Sequence, residues 1–209
     1  MLMRCTFALV ACWLSSIDAQ GATHKEIVEE FRGKDIDPAE VVLAMERTGC
    51  FGTCPAYRVT ITGTGHVEYE GRHFVVNRGV RESTVSPEAA IDIASALMHA
   101  HFFDASSEYF TSDDFRLYGG RLRLESTIVT DGPSTSLKLK LGKHEKHVHL
   151  YDGYPAELRE VIELIDKTVD IEQWIGTYCE RDRMPAARSV RQQPDPKCEI
   201  PPVPLRPTE

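Results

Sequence analysis

Four groups of residues have types and spacings that chemistry uses. Cys50 and Cys54 enclose Phe51-Gly52-Thr53, and Pro55 follows. Thiol-exchange motifs separate their cysteines by two residues and open a helix whose N-terminus lowers one thiol's pKa. Here three residues intervene and a proline and a strand pattern follow, so nothing stabilises a thiolate. Zinc would take a second ligand pair at matching spacing, but Cys179 and Cys198 lie far along the chain in its tail region. His147 and His149, with His144 nearby, would leave one face of a strand at i, i+2, a spacing that suits a transition metal. No third ligand is placed beside them by sequence. Asp113-Asp114 could serve acid–base work or calcium, yet adjacent carboxylates usually point apart. Phosphate loops, the Gly-x-Ser-x-Gly elbow and His-Glu-x-x-His are absent. No catalytic, cofactor or metal residue is therefore assigned, and the Cys50/Cys54 loop reads as a structural disulfide.

The fourth group is basic. Arg121 and Arg123, Lys138 and Lys140, and His147 and His149 alternate with Leu122 and Leu124, with Leu137, Leu139 and Leu141, and with Val148 and Leu150. If these three late strands form a meander, the basic residues make a cationic patch for an anionic partner, such as an envelope polymer or an acidic protein. The plainer alternative is charged decoration that keeps the sheet soluble, balanced by Glu68, Glu70 and Glu125 across strands. The protein as a whole carries 24 Lys+Arg against 32 Asp+Glu, a net charge of −8. It thus repels nucleic acid and anionic lipid in general.

These residues must be positioned by elements that the hydrophobic pattern outlines. Thr23 and Glu26 have capping-box spacing for a short helix with Ile27, Val28 and Phe31 on one side. Residues 41 to 45 read as a buried strand, and Tyr57, Val59 and Ile61 alternate into a hairpin through Gly63-Thr64-Gly65 to Val67 and Tyr69. Ser86-Pro87 opens a helix whose stripe is Ile91, Ala94, Leu97, Met98 and Phe102. Residues 106 to 120 read as a polar, irregular connection. Strands follow over 122 to 129, 136 to 141 and 147 to 151, with turns at Asp131-Gly132-Pro133 and Gly142-Lys143. A last helix begins near Pro155 with Leu158, Val161, Ile162, Ile165 and Val169 on one stripe. Hairpin-length turns without a helix between each strand pair exclude a parallel sheet. The pattern predicts an α+β fold: an antiparallel sheet of about six strands with two main helices on one face.

Arg4 followed by the ten-residue apolar run Cys5–Leu14 reads as a leader, too short to span a bilayer. Two readings stay open: a secretory signal over residues 1–19, or a lipoprotein signal in which Leu9-Val10-Ala11-Cys12 makes Cys12 the lipid anchor. Either exports the protein to an oxidising compartment, periplasmic, secreted or outer-envelope. There an even number of cysteines favours disulfides. Cys50, Cys54, Cys179 and Cys198 allow three connectivities, of which local pairing is preferred because each pair is close in sequence. Residues 20–37 make an N-terminal helical segment and 38–176 the domain. Residues 177–209 make an extended tail, since seven of the twelve prolines fall within 185–207.

The run Glu46-Arg47-Thr48-Gly49-Cys50-Phe51-Gly52-Thr53-Cys54-Pro55-Ala56-Tyr57, with Val67-Glu68-Tyr69-Glu70-Gly71 behind it, resembles the pattern R-T-x-C-F-G-x-C-P-x-Y of an uncharacterised bacterial family. That family is domain of unknown function 6438. Leu158, Ile165, Asp166, Trp174 and Ile175 look like its closing helix, so the resemblance spans roughly residues 40 to 176. It implies an exported or lipid-anchored protein and carries no activity. The expected function is a non-enzymatic binding or structural module of the cell envelope, without cofactor. The alternative is a redox or metal-dependent enzyme using Cys50/Cys54 or the His144–His149 strand.

Overall fold

The computed structural model describes residues 21–128, 130–185, 187 and 195–198. The expected leader with Cys12, Val129 and most of the Pro-rich tail lie outside the described residues. Alternation at Val41, Leu43 and Met45 and at Tyr57, Val59 and Ile61 puts six side chains on one side of two adjacent strands, β1 (Val41–Arg47) and β2 (Ala56–Thr62). The sheet grows outward from this pair. On one side lie β3 (His66–His73) and β4 (Gly79–Thr84); on the other lie β8 (Thr135–Leu141), β9 (His144–Leu150) and the short β5 (Glu108–Tyr109). The order is β4-β3-β2-β1-β8-β9-β5, antiparallel throughout except that β5 runs parallel to β9.

Three helices complete the core. α1 (His24–Phe31) starts with the expected capping box between Thr23 and Glu26. In α2 (Pro87–His99) the hydroxyl of Ser86 accepts from the Ala89 amide at 3.1 Å, and proline takes the first position, where its missing N–H costs nothing. α3 (Ala156–Thr168) buries Leu158, Val161, Ile162 and Ile165, as its spacing predicts. The buried stripe of α2 is Ala90, Ile93, Ala94 and Leu97; Ile91 and Met98 flank it half-buried. Phe102 is fully buried, but from a 3-10 turn beyond the helix. The helix stripes, the odd positions of β1 and β2 and the matching side of β8 and β9 form one cluster. Among the described residues the other side of the sheet has no such cover: Ala44, Glu46, Thr60 and Lys138 are half-buried and His147 is exposed. The fold is α+β, with seven strands in the main sheet rather than about six.

Three expectations need correction. The stretch 106–120 is not irregular: it holds β5 and β6 (Thr111–Tyr118). β7 (Arg121–Ile128) does not join β8 and β9 in a meander, but folds back on β6 as a separate two-stranded ribbon. Gly119 and Gly120, at φ +54° and +78°, make the two-residue reversal that sends β7 back along β6. β8 meanwhile takes β1 as its second neighbour and offers no free edge to β7. Finally, the tail is not extended from its start, because α5 spans Tyr178–Asp182. β4 escaped the sequence pattern because five of its six residues are exposed, as suits a charged edge strand.

The repeated Leu-x-Leu pattern thus has two physical meanings. Leu139 is 0% exposed in the core, while Leu124 on the ribbon is 56% exposed. Urea denaturation should show Leu139→Ala lowering unfolding free energy by about 3 kcal/mol. Leu124→Ala should leave it within about 0.5 kcal/mol. Equal losses would contradict the separation of ribbon and sheet.

Candidate functional site

The Cys50/Cys54 loop leaves β1 and enters β2, so its ends are held by the two central strands. Cys50 and Cys54 are bonded, with Cα atoms 5.5 Å apart. The loop is also tied sideways: the Thr48 amide donates to the Ser134 carbonyl at 3.0 Å, and the Ser134 amide to the Thr48 hydroxyl at 3.0 Å. The Phe51 amide donates to the Asp131 carbonyl at 3.3 Å. These contacts fix the backbone and leave the aromatic ring out, for Phe51 is 87% exposed.

Arg47, just before the loop, turns the other way. Its Nη2 lies 2.6 Å from Oδ2 of Asp166 on α3, and the Tyr57 hydroxyl donates to Oδ1 of the same carboxylate at 2.9 Å. Burial, the largest influence, raises the Asp166 carboxyl above its ordinary value, against the opposing pull of Arg47 and of the Tyr57 hydrogen bond. Burial likewise pushes the Tyr57 phenol far up, and that of Tyr69 up to about 12. The three residues join β1, β2 and α3 directly beneath the loop. Sequence reasoning named Asp166 only within the resemblance to the family's closing helix and gave its carboxylate no partner. A single carboxylate four residues after Ile162, on an otherwise apolar helix side, was the available signal.

A second bridge, Cys179–Cys198, has Cα atoms 5.2 Å apart and joins cysteines 19 positions apart in sequence. Around it the Tyr178 hydroxyl donates to Asp195 at 2.7 Å and the Asp195 amide to Asp182 at 2.7 Å. α4 (Glu172–Ile175) docks this region on the sheet: Trp174 stacks on Tyr69 at 4.8 Å, and its carbonyl accepts from the Asn77 amide at 2.9 Å.

The histidines are not brought together. His147 and His149 leave the same side of β9, as expected, but His149 Nδ1 meets the Ser136 hydroxyl at 2.9 Å. His144 Nε2 lies 3.0 Å from Glu30 on α1. Among the described residues no group of three or more His, Cys, Asp or Glu could hold a metal ion. Asp113 and Asp114 face opposite sides of β6, and Asp113 is bonded to the Ser126 hydroxyl.

The basic patch is divided. Lys138, Lys140, His147 and His149 share the uncovered side of the sheet, where Lys138 pairs with Glu145 at 2.8 Å and Lys140 stands opposite Glu145 in register. Arg72 pairs on that side with Glu46 and Glu70, so the face is nearly balanced. Arg121 and Arg123 sit on the ribbon instead. Alternation alone does not say which strands are neighbours, and the patch depended on that.

An antiparallel-based sheet covered by helices on one side, with a disulfide-closed loop between its central strands, defines the class of domain. Residues 41–169 match the family described as Domain of unknown function (DUF6438), and the chain belongs to that family. The match opens on the first residue of β1 and closes on Val169, the C-cap of α3. No curated protein matches the chain.

Two outcomes follow for the loop and its support. Serine at both Cys50 and Cys54 should cost about 2 kcal/mol, the chain entropy of a five-residue loop, and leave the fold intact by circular dichroism. A carboxyl whose folded value exceeds its unfolded one stabilises the fold fully below the ordinary 3.8 and loses that contribution as pH rises through the raised value. Tyr57→Phe removes a hydrogen bond that favours the ionised form, so it should cost about 1.5–2 kcal/mol at pH 7 and less at pH 3.5. Denaturation at both pH values checks this; an equal loss at each would mean Tyr57 does not act on the carboxylate.

Proposed function

We infer that this chain is an exported, non-enzymatic binding or structural module of the bacterial cell envelope. The observation that carries the reading is Phe51, a large aromatic ring 87% exposed on a loop closed by a disulfide and tied to Ser134 and Asp131. Exposed aromatics on immobilised backbone bind at low entropic cost, because little order remains to be imposed. They are the side chains that most often carry binding energy at interfaces. The apolar run after Arg4 and the two disulfides support export. No described helix is long and apolar enough to cross a membrane.

Although Glu46, Glu70 and Glu145 nearly balance that face, Lys138, Lys140 and His147 at the β8–β9 end of the uncovered sheet side make the second contact of this reading, toward an anionic envelope component. Retention of the purified protein on isolated cell envelopes tests both. Phe51→Ser should weaken it by roughly tenfold or more, as loss of an aromatic anchor does, with thermal stability unchanged. Lys138→Glu with Lys140→Glu should weaken it further. Undiminished retention of both variants would sink the proposal. Ready exchange of the Cys50–Cys54 bond with glutathione would instead favour thiol chemistry.

A further inference from the structure

The β6–β7 ribbon is the least accountable part of the molecule as a folded object. A lone two-stranded hairpin is marginal in water, yet among the described residues this one pairs with no other strand. Cross-strand register puts Phe115 opposite Leu124 and Leu117 opposite Leu122, all four on one face. Their exposures are 72%, 56%, 69% and 72%. The opposite face carries Arg116 opposite Arg123 and Tyr118 opposite Arg121, and the Arg123 guanidinium lies over the Tyr118 ring at 5.5 Å. Residues 115–124, Phe-Arg-Leu-Tyr-Gly-Gly-Arg-Leu-Arg-Leu, hold three arginines and no carboxylate, in a protein of net charge −8.

The root of the ribbon is held firmly. Just before it, β5 pairs with β9, and the Ser112 hydroxyl donates to Asp152 at 2.8 Å. A Cβ on Gly153 would fall 1.9 Å from the Thr111 carbonyl oxygen, so only glycine lets the ribbon approach the body there. Eight paired residues at about 3.4 Å each carry the tip roughly 25 Å from this anchor. The acidic members, Asp113, Asp114 and Glu125, lie toward the root, and Glu125 is 3.5 Å from Arg116.

We propose that the distal ribbon is a membrane-docking arm: Phe115, Leu117, Leu122 and Leu124 enter the interface of an anionic phospholipid bilayer while Arg116, Arg121 and Arg123 meet its phosphates. An apolar face opposite a cationic one is the pattern of elements that lie in the plane of a bilayer surface. Arginine can lay its aliphatic stem along the apolar zone and keep its guanidinium at the headgroups. A soluble anionic polymer would use the arginines and leave the apolar face wet. A second copy of the chain would cover that face, but four side chains present on the order of 400 Å², about half of what one partner gives to a stable interface. The arm is separate from Phe51 and the uncovered sheet side, so it extends the binding-module reading without sharing its residues.

The test is co-sedimentation of the full chain with vesicles of phosphatidylglycerol and phosphatidylcholine, or of phosphatidylcholine alone. All proteins carry Cys12→Ser so that no acyl chain contributes. The expected result is binding to the anionic vesicles that falls at least tenfold in Phe115→Ser/Leu117→Ser and also in Arg121→Gln/Arg123→Gln, with melting temperatures unchanged. A second readout is Leu122→Trp, whose emission, taken as the difference from the parent with its two tryptophans, should shift to the blue on anionic vesicles. Phe51→Ser should bind vesicles as the parent does, which separates this inference from the preceding one. Absence of binding, serine or glutamine variants that bind as tightly as the parent, or a concentration-dependent dimer that Phe115→Ser dissolves would overturn it.

Discussion

Asp166 is where sheet and helix are held in register. Its carboxylate takes the Arg47 guanidinium from the end of β1 at 2.6 Å and the Tyr57 hydroxyl from the start of β2 at 2.9 Å. A helix packed on a sheet by apolar contact alone can slide, because apolar attraction has no direction. A half-buried carboxylate with two donors fixed on different strands has one good position. The constraint is costly: burial disfavours the charge, and the two donors offset only part of that penalty. The gain is placement. The loop between Arg47 and Tyr57 starts and ends on the two residues that grip Asp166, so its position relative to α3 is set on both sides.

Around that anchor the molecule separates rigid parts from presented parts. The disulfide, Thr48, Ser134 and Asp131 hold the loop's backbone, so Phe51 projects from a fixed base. Trp174 and the Cys179–Cys198 bridge bring the chain after α3 back onto β3 and consolidate the same half of the domain. The ribbon is treated differently: its root is fixed by Ser112, Asp152 and Gly153, while its distal half stands free of the other strands.

Composition, periodicity and turn residues were enough for the class of fold, the two central hairpin strands and the α3 stripe, because these follow from local pattern. Hydrophobic alternation in β2 and β3 has one reading, since a single-residue slip would expose every core side chain. The capping box of Thr23 and Glu26 and the Ser86-Pro87 start are local as well, each satisfied by atoms within four residues. The hairpin at Gly119-Gly120 was missed, although the alternation of Phe115 and Leu117 with Leu122 and Leu124 carries its signal. Its polar root residues and the stronger pattern of the later strands obscured it.

Adjacency was decided only in three dimensions. Arg121, Arg123, Lys138 and Lys140 look equivalent along the chain, but β8 pairs with β1 and β9 and leaves β7 to the ribbon. Strand pairing is a competition among edges, which depends on the path of the whole chain and not on any strand's own residues. The direction of Arg47 and Phe51 has the same origin. Their types told only that one is charged and one apolar. Inverting the usual expectation, the charged residue turns into the half-buried joint and the apolar one outward, because Asp166 from a helix 119 residues away reaches Arg47 and none of the described residues covers Phe51.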